Sequence, residues 1–101
     1  MTMYSENITM EKLKIEIEYC TKCRWLTRAS WMAQELLSTF SNEIGGILLI
    51  PSNISGIFEI RCGREIIWER GKKKGMPEIK TLKQKVRDII APNKDLGHID
   101  S

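Results

Sequence analysis

The sequence predicts a two-layer α/β sandwich of element order β-α-β-β-β-α, with a mixed four-stranded sheet and both helices on one face. Residues 13–19 alternate strictly, Leu13, Ile15, Ile17 and Tyr19 against Lys12, Lys14, Glu16 and Glu18, the pattern of a strand with one buried and one wetted face. Two later stretches change to a helical period, and three further stretches are short and β-rich. Because the first strand keeps a charged face, the two helices belong together on the other side of the sheet.

The elements follow in order. Residues 1–10 have no periodicity and are expected to be a flexible leader, so the folded domain is placed at 11–92. Between 26 and 44 the apolar positions Leu26, Ala29, Ala33, Leu36, Leu37, Phe40 and Ile44 recur at helical spacing, and Gly45-Gly46 is the expected stop. The run Ile47-Leu48-Leu49-Ile50, between that glycine pair and Pro51, is too short for a helix and reads as a strand buried among neighbours. A right-handed crossover through the helix makes it parallel to the first strand. Residues 57–62 and 65–70 flank Gly63-Arg64, a two-residue turn with a leading glycine, and form an antiparallel hairpin. Pro77 then precedes a second helix with Ile79, Leu82, Val86, Ile89 and Ile90 on one stripe, and Pro92 ends it. Residues 93–101 are polar and expected to be a flexible tail. Trp31 and Trp68 are assigned to packing.

Length and charge bound the function. A chain of 101 residues holds one domain and one core. No apolar run approaches the ~20 residues of a membrane span, and the first residues lack a basic segment followed by an apolar one, so the expected location is the cytoplasm. Basic residues are concentrated late, with 5 basic and 6 acidic side chains in residues 1–50 against 11 and 7 in residues 51–101. The densest stretch, residues 70–75, is flanked by glycines and reads as a mobile solvated loop rather than a groove-lining helix, which weighs against a nucleic-acid partner.

Three cysteines make a poor disulfide framework, but Cys20 and Cys23 stand two residues apart where the first strand gives way to the helix. A thiol near a helix start meets unpaired backbone N–H groups and the positive end of the dipole, both of which favour thiolate. Cys20, read as the nearer to that start, is expected to be the more acidic, with Lys22 and Arg24 adding positive charge. A thiolate of this pair would attack a disulfide or sulfenic acid, and the other thiol would resolve the mixed disulfide. Trp25 is either a partly buried aromatic or a shield and stacking surface for substrate.

The run Tyr19-Cys20-Thr21-Lys22-Cys23-Arg24-Trp25, followed by Arg28-Ala29-Ser30-Trp31-Met32-Ala33-Gln34-Glu35-Leu36-Leu37, Gly56-Ile57-Phe58-Glu59-Ile60, Ile66-Ile67-Trp68 and Pro77-Glu78-Ile79-Lys80, resembles the selenoprotein W-like (Rdx) family over about residues 12–92. The resemblance implies a thioredoxin-like fold, a C-x-x-Cys or C-x-x-Sec redox motif in the first loop and thiol oxidoreductase activity. Members often carry selenocysteine where Cys23 stands, so this chain looks like the sulfur form, of bacterial type. By that analogy Cys23 attacks and Cys20 resolves, whereas proximity to the helix start favours Cys20; the two assignments stay open here. Thioredoxins proper carry a cis-proline at the place occupied by Ser55-Gly56, and Pro51 lies too early to replace it.

The expected function is therefore a thiol-disulfide oxidoreductase with a Cys20–Cys23 dithiol, flanked by Lys22, Arg24, Trp25, Ser55 and Gly56. Its alternative is a redox-sensitive protein-interaction module without turnover. Expected partners are a protein or a low-molecular-weight thiol or disulfide. No cofactor or metal is expected, glutathione being a candidate co-substrate, and the chain is read as a monomer or weak dimer. A Cys20, Cys23, Cys62 and His98 zinc set is set aside, because Cys62 should lie at the far end of a strand and His98 in the tail.

Overall fold

The computed structural model describes residues 12–73 and 75–97. The sheet is ordered about its first strand, β1 (Lys14–Cys20), with β2 (Gly46–Ser52) on one side and β3 (Phe58–Cys62) and β4 (Glu65–Glu69) on the other. β1 runs parallel to β2, from Lys14 opposite Gly46 to Cys20 opposite Ser52. It runs antiparallel to β3, with Ile15 opposite Cys62 and Tyr19 opposite Phe58, and β3 in turn pairs antiparallel with β4. The helix α1 (Leu26–Thr39) packs on β1 and β2, a one-turn helix α2 (Arg70–Lys73) follows β4, and α3 (Ile79–Ile90) packs against β4 and α1. This is the predicted two-layer sandwich and order, with one short helix added.

The alternation of β1 decides which face is dry. Ile15, Ile17 and Tyr19 are buried and join Ala29, Met32, Leu36, Phe40, Ile60, Leu82 and Val86 in a single core. Each fully buried aliphatic or aromatic side chain there contributes about 1.5–3 kcal/mol through removal from water, so the helical layer is held mainly by this shared face. The other face of β1 carries charge: Arg61 of β3 meets Glu16 at 2.8 Å, Glu18 at 3.3 Å and Glu59 at 2.7 Å. Glu18 and Glu59 stand directly opposite each other on this face, and the Arg61 cation between them offsets the repulsion of that pair.

Several expectations are corrected. α1 ends at Thr39, before the glycine pair: Phe40 closes it by donating its N–H to the Leu36 carbonyl at 2.9 Å, and a further turn carries Ile44 into the core. Gly45 instead permits close approach of two backbones. Its N–H reaches the Leu13 carbonyl at 2.7 Å, and a Cβ there would stand 2.8 Å from the Lys12 carbonyl oxygen. The helix stripe also differs at its edges, with Leu26 and Leu37 exposed and Met32, which the sequence reading left off the stripe, fully buried.

β2 is an edge strand rather than one buried among neighbours. Ile47 and Leu49 pack on the core while Leu48 is exposed, and Pro51 fits because an edge strand has N–H groups to spare. The hairpin forms as predicted, with Cys62 opposite Glu65 and Gly63 at φ 63°. Residues 70–73, expected to be loop, form α2. Trp68 is half-buried and its Nε1–H donates to the Gly75 carbonyl at 3.1 Å, but Trp31, assigned to packing, is exposed. Beyond Pro92 the chain is tied back: Lys94 pairs with Glu43 at 3.1 Å and Leu96 packs on the core. The leader 1–10 and residues 98–101, His98 among them, lie outside the described residues.

Candidate functional site

Cys20 is the last residue of β1, and the turn of residues 21–24 carries Cys23 back over it before α1 begins. Three contacts with the end of β2 and the residue before β3 pin this turn. Cys20 donates its N–H to the Ile57 carbonyl at 2.9 Å, while the Thr21 N–H and hydroxyl both reach the Ser52 carbonyl, at 3.2 and 3.3 Å. Ser52 is itself buried, and its hydroxyl accepts the Ile54 N–H at 3.2 Å, which shapes the loop opposite the thiols. Arg24 closes the turn at φ 58°, a left-handed conformation that costs a non-glycine residue about 1–3 kcal/mol and recurs at functional sites.

The result is a pair of sulfurs 2.7 Å apart, with the Cys23 S–H donating to the Cys20 sulfur and no disulfide between them. They differ in access: Cys20 is buried, whereas Cys23 is half-exposed. They also differ in acidity. The thiol of Cys20 is pushed down, chiefly by the hydrogen bond from Cys23, with the backbone N–H groups of Gly56, Cys23 and Lys22 adding to it and desolvation opposing it. The thiol of Cys23 is pushed up, first because it donates to Cys20, then by desolvation and the Cys20 charge, while the Gly56 N–H and the Arg70 guanidinium pull it back. Once the pair has lost one proton, two thiols in such contact share the other, and their ionisation belongs to the pair.

Of the residues singled out from sequence, Cys20, Cys23 and Gly56 meet at one point. Gly56 stands at φ 76°, a conformation that suits glycine, and offers its N–H to both sulfurs. Ser55 is exposed beside it. Lys22 and Arg24 are exposed as well, and what Lys22 gives the thiol is its backbone N–H rather than its charge. Neither cysteine is at the helix start: α1 opens at Leu26, so Cys23 is the nearer, and Cys20 owes its acidity to its partner thiol and the surrounding amides. Trp25 is half-buried at the N-cap, edge-on to Phe58 with ring centroids 5.9 Å apart.

Arg70 was not foreseen. Its guanidinium lies 4.9 Å over the Trp25 ring and bears on Cys23. Counting the ladder outward from the Gly63-Arg64 turn puts Glu69 opposite Phe58, and the register shift at Ile60/Arg61 moves it by one to Glu59; either way the next residue arrives at the same end of the sheet as Cys20. That register was the available signal. Ser52 and Ile57, whose carbonyls hold the turn, carried none, because backbone acceptors leave no mark on residue type. Cys62 lies opposite Ile15, at the far end of β1 from Cys20, and among the described residues no group of three or more metal-ligating side chains gathers.

A dithiol turn between a central strand and the helix crossing to its parallel neighbour, on a four-stranded mixed sheet, defines a thioredoxin-like redox protein fold. Within it, the chain belongs to the Rdx family, whose profile matches residues 14–88. Among solved structures it is similar to the selenoprotein W-related protein from Vibrio cholerae, with 51% identity and a TM-score of 0.74 over 77% of this chain and 96% of that one. It is likewise similar to a protein from Bordetella parapertussis, with 49% identity and a TM-score of 0.75 over 77% and 98% of the two chains. No curated protein matches. Among the described residues, no helix is long and apolar enough to cross a membrane.

Proposed function

We propose that this protein is a thiol-disulfide oxidoreductase that reduces disulfides or oxidised thiols of proteins or small thiol compounds in the cytoplasm. The observation that carries the proposal is the 2.7 Å approach of Cys23 to Cys20 with one sulfur buried and the other half-exposed. Acidity favours charge on Cys20, yet access favours attack by Cys23. A shared proton reconciles them: Cys20 takes the proton from Cys23 as the substrate arrives, and the more reachable sulfur becomes the nucleophile.

The Cys23 thiolate then attacks one sulfur of the substrate disulfide. A Cys23–substrate bond forms, the substrate S–S bond breaks, and the expelled thiolate takes up a proton. Cys20, after losing its proton to solvent, attacks Cys23, releasing the second substrate thiol and leaving a Cys20–Cys23 disulfide. The protein gives up two electrons and the substrate gains two. A low-molecular-weight thiol such as glutathione would return them by the reverse exchange, forming glutathione disulfide. Gly56 and Arg70 favour negative charge on Cys23 during the attack.

The test is trapping. In a Cys20→Ser variant, Cys23 should form a mixed disulfide with substrate that persists until a reductant is added, whereas Cys23→Ser should form none. Traps on Cys20 in the Cys23→Ser variant would reverse the assignment, and no trap in either variant would remove the enzyme.

A further inference from the structure

We propose that the cleft beside Cys23, lined by Arg24, Trp25, Thr27, Arg28 and Trp31, docks an acidic segment of a protein substrate and presents its oxidised cysteine to the dithiol. The proposal rests on the oxidoreductase reading and names the substrate class. The cleft has a volume of about 410 Å³. It begins at the residue after Cys23 and follows the first two turns of α1, where Thr27, Arg28 and Trp31 share a face at helical spacing. Trp31 contributes nothing to the core and remains 47% exposed, a large aromatic surface that folding leaves unused.

The charges are as telling. Among the described residues, neither Arg24 nor Arg28 has a carboxylate partner, although Arg61, Lys83, Arg87 and Lys94 each have one. Arg28 stands in the first turn of α1, which holds no acidic residue, and a cation there opposes the helix dipole. Two unpaired guanidiniums, the free N–H groups of the same turn and Arg70 over Trp25 make this end of the molecule attractive to carboxylates. A second surface explains why the occupant is a protein segment. Ile54, 60% exposed, sits in the β2–β3 loop whose Gly56 bears on both thiols. An occupant that contacts the cleft, the dithiol and Ile54 together spans residues of α1, the 21–24 turn and the β2–β3 loop, which suits an extended chain better than a compact small molecule.

The test uses the reduced full-length protein and three peptides of equal length. Each carries one cysteine as its 2-pyridyl disulfide, flanked by aspartate and glutamate, by serine, or by lysine. One equivalent of dithiol reduces one peptide disulfide, releasing the peptide thiol and 2-thiopyridone and leaving the Cys20–Cys23 disulfide, so no further reductant is needed. The acidic peptide should react about tenfold faster than the lysine peptide at low ionic strength, and the gap should shrink as salt is raised. Arg28→Glu should abolish or reverse the preference, and Trp31→Ala should slow the acidic peptide. A cysteine-free acidic peptide should also shift the wild-type tryptophan fluorescence on binding, and should lose that effect with Arg28→Glu.

Equal rates for the three peptides, with bis(2-hydroxyethyl) disulfide still reduced, would overturn the docking proposal and leave the oxidoreductase standing. Failure to reduce any disulfide would remove the enzyme, while fluorescence binding of the acidic peptide would still uphold the docking surface. Glutathione disulfide reacting as fast as the acidic peptide, and displacing the cysteine-free one, would assign the cleft to a small anionic disulfide and overturn the protein segment.

Discussion

Cys20 and Cys62 occupy equivalent places at opposite ends of the sheet. Each is the last residue of a strand, each is buried, and each is followed by a tight turn. Their chemistry diverges because of what stands nearby. Cys20 receives a thiol proton donor at 2.7 Å and a set of backbone N–H groups, which push its ionisation down. Cys62 has no such neighbour: desolvation, with the Glu65 charge beside it, pushes its ionisation up. Burial alone would silence both thiols, so the local donors at Cys20 decide the difference.

Removing the donor sulfur should have the largest effect. Cys23→Ser should lower disulfide reductase activity by more than about a hundredfold, since the residue is both nucleophile and proton donor; a turnover assay against the wild type measures this. Next in size is the separation of the two ends by pH. Alkylation followed by peptide mapping should modify one thiol of the Cys20–Cys23 pair below the pH at which an ordinary thiol reacts, because the lowered pKa of Cys20 keeps one thiolate in the pair there while Cys23 is pushed up. Cys62 should react only above that range, because its pKa is raised. Equal labelling of all three sites at one pH would erase the contrast.

Gly56→Ala should destabilise the protein by about 1 kcal/mol or more, as a side chain is strained at positive φ even where space is open. Denaturant unfolding would register it. Arg70→Ala should slow the reaction of Cys23 a few-fold near neutral pH, with the pH–rate profile moved towards higher pH, since its charge favours the thiolate. At the far end, Cys62→Ala should cost about 1 kcal/mol of stability while leaving activity unchanged; a loss of activity would show that the two ends are coupled.

Much of this arrangement was legible from residue order. Alternation in β1 gave the dry face, the Gly63-Arg64 turn gave the hairpin, and the spacing of Cys20 and Cys23 at a strand-to-helix boundary gave the dithiol. What was not legible depended on sheet position and on backbone. Ile47-Leu48-Leu49-Ile50 has the composition of an inner strand, and its edge place follows only once β1 pairs with β3. The end of α1 was misread because Phe40 and Ile44 keep the helical stripe although the chain has already left the helix, and Gly45 is needed for contact with Lys12 and Leu13. Residues 70–73 looked like loop because of two glycines and a lysine run, yet one helical turn there delivers Arg70 to Trp25. For the acidity of Cys20, the direction and a part for backbone N–H groups are legible in the sequence, but the leading cause, the hydrogen bond from Cys23, is not, and the Lys22 and Arg24 side chains do not supply it.

The most direct measurement is a redox titration of the full-length protein in glutathione buffers, read by mass spectrometry of the peptide containing Cys20 and Cys23. Reversible loss and recovery of two hydrogens within that peptide, with Cys62 remaining a free thiol throughout, is the predicted result. A pair that stays reduced at every ratio, or is oxidised only through Cys62, would contradict the account.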